Sequence, residues 1–106
     1  MNALHRWLDA RQPPAPPALR TRLGEPVDAH PEWESLAVPD ALLSAGEQLL
    51  QGVLRAPSQR RATAVDLLAA DACVTYAFEA AADAPERLVA LAELSMRRIA
   101  QLAAPA

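Results

Sequence analysis

The sequence predicts a small all-α bundle of three main antiparallel helices, with a short N-terminal helix and one or two single-turn helices added. Three observations carry that prediction. From Ser58 to Asp83 the chain is apolar on more than one side at helical spacing, the pattern of a helix with neighbours on both flanks. The segments around it, Pro39–Arg55 and Pro85–Ala103, each gather their apolar residues on one face. The composition is 52% apolar but only 4% aromatic, so alanine and leucine must supply the core. At 106 residues one domain is expected, able to bury about two thirds of its unfolded surface.

The central stretch repays a helical wheel. One side carries Ala62, Ala69, Cys73, Ala77 and Ala80, bordered by Val65 and Tyr76. A second side carries Leu67, Val74 and Phe78, with Ala70 and Ala81 between the two. The remaining polar strip, Arg60, Arg61, Asp71, Thr75 and Glu79, is narrow, and Leu68 intrudes on it. The small residues let another backbone come close. Asp66 falls in that small-residue face, where a lone carboxylate is costly to bury. It is expected to pair with an arginine or to sit in the favourable dipole of the first turns.

At the N-terminus, Asn2 to Arg11 reads as a short amphipathic helix with Leu4, Trp7 and Leu8 on one face and Asn2 as its cap. Alone, so short a helix is marginal in water and must dock on its own core or on another chain. Pro13 to Pro17 reads as a polyproline II spacer, dividing residues 1–17, a docking helix on a tether, from a bundle domain of 18–106. The spacer also matches PxxP, but its flanks add no specificity. Ala18 to Leu23 suits a turn or two of helix, entered at Pro17 and stopped at Gly24, with 25–29 as loop. A second single turn is entered at Pro31, with Trp33 and Leu36 facing inward. Asp28, His30, Glu32 and Glu34 form the densest set of metal-ligand types in the chain, but their alternate spacing suits an acidic capped turn better than a metal site.

In Pro39–Arg55 the apolar face holds Leu42, Leu43, Leu49, Leu50, Val53 and Leu54 together with Gly46. A glycine there costs about 1 kcal/mol of helix stability relative to alanine, so another helix is expected to cross closely at Gly46. Ala56-Pro57 ends this helix and Ser58 caps the next. Asp83-Ala84-Pro85-Glu86 is a restart signal: a capping side chain, proline at the first position and an acid in the first turn. In the last helix Leu88, Leu91, Ala92, Met96, Ile99 and Leu102 form the expected buried face. Arg97 and Arg98 are expected in solvent, with Glu93 and Arg97 spaced for an i, i+4 pair.

The charge balance argues against nucleic acid as a partner, since the net charge is −3 and no basic face is evident. All ten basic residues are arginines, which fits the codon bias of a GC-rich bacterial genome. The lone Cys73 excludes an internal disulfide and, among alanines, is expected to be an inert buried thiol. The first residues carry no apolar run of the kind a leader needs, and acids interrupt the most apolar stretch, so no membrane span and a cytoplasmic location are expected. There is no glycine-rich phosphate loop, CxxC, HExxH or local Ser/His/Asp signature, and no cofactor is expected.

The leading functional expectation is a non-enzymatic interaction module, a homodimer or an adaptor for another protein. Its motive is the two-sided central helix, whose apolar surface two neighbours do not fully cover. Its expected interface is the small-residue face, Ala69, Cys73, Ala77 and Ala80, with Leu4, Trp7 and Leu8 of the N-terminal arm. The alternative is a ligand- or metal-binding bundle using Asp66 with Tyr76 and Glu79.

Overall fold

The structure is a computed structural model that describes residues 3–56 and 61–103. Five α-helices follow in order: α1 Ala3–Asp9, α2 Pro17–Ala29, α3 Val38–Arg55, α4 Arg61–Ala81 and α5 Pro85–Ala103. A 3-10 turn, Pro31–Ser35, links α2 to α3. No strand occurs among the described residues. The expected caps Asn2 and Ser58 lie outside them. The Cα radius of gyration is 13.5 Å, near the value of about 13 Å for a compact chain of 100 residues.

The most extensive packing is between α3 and α4, and Gly46 sits at its centre. A Cβ built on Gly46 would lie 3.2 Å from Cys73 Cβ, 3.2 Å from Val74 Cγ2 and 3.4 Å from the Ala70 carbonyl oxygen. The glycine therefore does face a closely crossing helix, and that helix is α4. The counter-surface is the small-residue face: Ala69, Cys73 and Ala77 are 1% exposed or less. Burial pushes the Cys73 thiol up to about 12. A thiol whose folded value is raised stabilises the fold below its ordinary value, about 8.5. That contribution is lost as pH rises from there through 12. Native protein at pH 8 is expected to leave Cys73 unlabelled by a thiol reagent on a timescale at which the denatured chain reacts fully.

The arm is not detached. Leu4 and Leu8 are buried in the common core with Leu23 and Val27 of α2 and with the α3–α4 residues. Trp7 meets Tyr76 of α4 edge to face, with ring centroids 5.6 Å apart, and the Arg11 guanidinium lies over Trp7. Polar contacts fasten the outer side. Arg20 donates from Nε to Asp9 Oδ1 at 2.8 Å and from Nη2 to His5 Nδ1 at 2.8 Å. His5 Nδ1 is thus an acceptor, and its Nε2–H donates to Asp28 Oδ1 at 2.7 Å. The Arg20 hydrogen bond holds the Asp9 carboxyl below the usual carboxylate range.

Three local readings need correction. First, α2 does not stop at Gly24 but continues through Gly24 and Pro26 to Ala29. Leu23 and Val27, four residues apart, are both buried, and their packing outweighs the intrahelical bond that Pro26 cannot donate. Gly24 serves a different purpose from a stop: a Cβ there would meet His5 Cε1 at 3.0 Å, so glycine lets α1 approach. His30 Nδ1–H then donates to the Pro26 carbonyl at 2.8 Å, closing the helix end. Second, Leu36 is exposed, while Trp33 is half-buried and stacks on His30 with centroids 4.1 Å apart. Third, α5 is turned toward its Leu91–Arg98 edge. Leu91 and Ser95 are buried, and Arg98 pairs with Glu47 of α3. Met96, expected inside, is 69% exposed.

Candidate interaction surface

The turn of α5 decides what the molecule shows to solvent. With the small-residue face of α4 filled by α3, the flank of Leu67, Val74 and Phe78 is shared between α3, whose Gly46 meets Val74, and α5, which covers it only in part. An open groove of about 730 Å³ runs between the two helices, lined by Val74 and Phe78 on one wall and Leu88, Val89 and Ala92 on the other. It continues past Val74 into a second recess of about 230 Å³, where Leu50, Leu67 and Asp71 meet Ile99. The recesses share Val74 and make one apolar face. They also order the helices along it: Leu88 lines the first recess with Phe78 and Glu79, and Ile99 lines the second with Leu67 and Asp71.

Beside the groove stands a ridge. Val89 is 61% and Met96 69% exposed, seven residues apart and so on one side of α5. Leu67 is 51% exposed at the far wall. The polar groups of this face are Asp71, Thr75 and Glu79 of α4 and Glu47 of α3, the last paired with Arg98. Contiguous exposed apolar surface of this kind, rimmed by polar residues, marks interaction sites.

The interface expected from the sequence is occupied within the chain. Leu4, Leu8, Ala69, Cys73 and Ala77 are buried, Trp7 is half-buried against Tyr76, and Ala80 is half-buried. A second chain reaches these atoms only by opening the α3–α4 crossing or lifting α1. The expectation of uncovered apolar surface on α4 remains useful, but the uncovered side is the large-residue flank. Sequence reasoning missed Val89 and Met96. Their signal was the width of the apolar stripe on α5, wider than one neighbouring helix covers.

The alternative site does not assemble. Asp66 accepts a hydrogen bond from Arg22 Nε at 2.5 Å, and the same guanidinium donates from Nη1 to Glu25 at 2.6 Å. The Asp66 hydrogen bond raises the Arg22 pKa further. Tyr76 is taken by Trp7, and Glu79 lines the α4–α5 groove. The three side chains thus face three different helices. Asp66→Ala is expected to lower stability by about 1 kcal/mol, the scale of a half-exposed charge-assisted bond, as read in urea denaturation. Among the described residues no group of three or more His, Cys, Asp or Glu side chains is placed to hold a metal ion. Asp28 and His30 are engaged as above.

Among the described residues no helix is long and apolar enough to cross a membrane. Compared with protein-family models, curated proteins and solved structures, the chain finds no match.

Proposed function

We propose that the chain is a non-enzymatic interaction module that pairs with a second copy of itself through the α4–α5 face. Behind that face α3, α4 and α5 form an antiparallel three-helix core. The carrying observation is the Val89–Met96 ridge, largely exposed, standing beside an apolar groove on the same face. A ridge and a groove side by side make a surface that complements itself, which is what a two-fold interface requires. Fully burying Val89 and Met96 contributes about 1.5–3 kcal/mol each.

The test is the double substitution Val89→Asp with Met96→Asp, measured by sedimentation equilibrium beside the native chain. Both side chains are mostly in solvent, so the far-ultraviolet circular dichroism is expected to stay helical. Self-association is expected to weaken by about a hundredfold or more. Unchanged association would reject this face.

A further inference from the structure

We infer that each copy seats its α5 in the other's α4–α5 groove, with the two-fold axis running along the helices and Arg97 of one copy ion-paired to Asp71 of the other. The inference rests on the self-association proposed above. Its first step is geometric. A copy can place its ridge in the partner's groove and receive the partner's ridge in its own only if the axis lies parallel to the helices. An axis across the helices would stack α5 on α5 and α4 on α4, leaving both grooves empty.

An axis along the helices preserves height. Each residue of the incoming α5 therefore stands level with its counterpart in the receiving chain. Ile99 lines the recess that Leu67 and Asp71 bound, about 6 Å apart along α4, and Arg97 is two residues from Ile99 toward the Asp71 end, about 3 Å along the axis. Arg97 thus arrives level with the partner's Asp71. The side agrees as well. Residues two apart on a helix point about 200° apart, so Arg97 projects from the flank opposite Ile99, away from its own α4. In this seating that flank is the one facing the other copy's α4.

Charge completes the fit. The lining of the receiving face holds three carboxylates and no cation: Glu47 is paired with Arg98 of its own chain, which leaves Asp71 and Glu79 to meet a partner's charge. Asp71 and Arg97 are both exposed, and neither forms an ion pair within the chain among the described residues. The expected Glu93–Arg97 pair is not formed either, which leaves the guanidinium to reach across while Glu93 stays one turn away.

Charge exchange tests the pair. At low salt, Asp71→Arg and Arg97→Asp alone are each expected to weaken dimerisation on the order of tenfold, because two symmetry-related pairs become like-charged. The chain carrying both substitutions is expected to return to within about threefold of native affinity. A cysteine scan adds a readout of seating. Met96→Cys is expected to oxidise readily to a linked dimer, since each position 96 faces its mate at equal height. In the α5-on-α5 stack that opposes Val89 to Met96, the two would stand about 10 Å apart along the axis. If the doubly exchanged chain stays as weak as the single variants, or the cysteine variant does not link, while Val89→Asp with Met96→Asp still dissociates the native dimer, this seating is wrong and the face stands. If the native chain is monomeric throughout, both fall.

Discussion

Replacing Gly46 with valine is expected to lower stability by about 3 kcal/mol, the upper range for overpacking a close-fitting core. For a chain of this size that is a fall in Tm of roughly 15 °C. The cause is local. The Cβ alone would stand 3.2 Å from two α4 side chains and 3.4 Å from the Ala70 carbonyl, and the γ-methyl groups would have to enter the α3–α4 crossing itself. Neither Cys73 nor Ala70 has a flexible end that can swing aside. Gly52, on the same helix, is the matched control: nothing lies within 4 Å of where its Cβ would be. Gly52→Ala is therefore expected to raise stability by about 1 kcal/mol through helix propensity. Equal responses at the two glycines, in thermal or urea unfolding, would show that the crossing is looser than described.

Leu8→Ala is expected to cost about 3 kcal/mol, and removal of residues 1–11 to leave a chain without cooperative unfolding at room temperature. Leu8 is 2% and Leu4 5% exposed, and α1 packs on both α2 and α3. Truncating one fully buried leucine costs about 2–5 kcal/mol, against a total of about 5–15 kcal/mol for a domain. Losing both leucines, with Trp7 and the Arg20 contacts, takes most of that margin. The near-ultraviolet signal of Trp33 and Tyr76 reports the outcome. A truncated chain that still melts cooperatively would mean that α1 is a dispensable arm after all.

The parts of this fold legible in the sequence are those set by strong periodicity. The three long helices follow from their apolar spacing, and the close crossing follows from one glycine on an apolar face. Asp66 as an ion-paired residue was also within reach, because a carboxylate among alanines needs a cation nearby. The partner Arg22 was not, since nothing local says that α2 returns to lie beside α4. The length of α2 was hidden for a related reason. Gly24 and Pro26 are breakers by local preference, and only the burial of Leu23 and Val27 together overrides them. The proposed interaction face was half legible. Leu67, Val74 and Phe78 stood out as a second apolar side of α4, but which of two apolar sides stays open depends on how α5 is turned. That turn is set by Leu91, Ser95 and the Arg98–Glu47 pair across α5 and α3, a contact between segments some fifty residues apart.

Sedimentation equilibrium of the native chain from low to high micromolar concentration tests the self-pairing face most directly. The expected result is a reversible rise from the chain mass of 11.3 kDa to twice that value, abolished by Val89→Asp with Met96→Asp. A native chain that remains at the monomer mass across the whole range would contradict it.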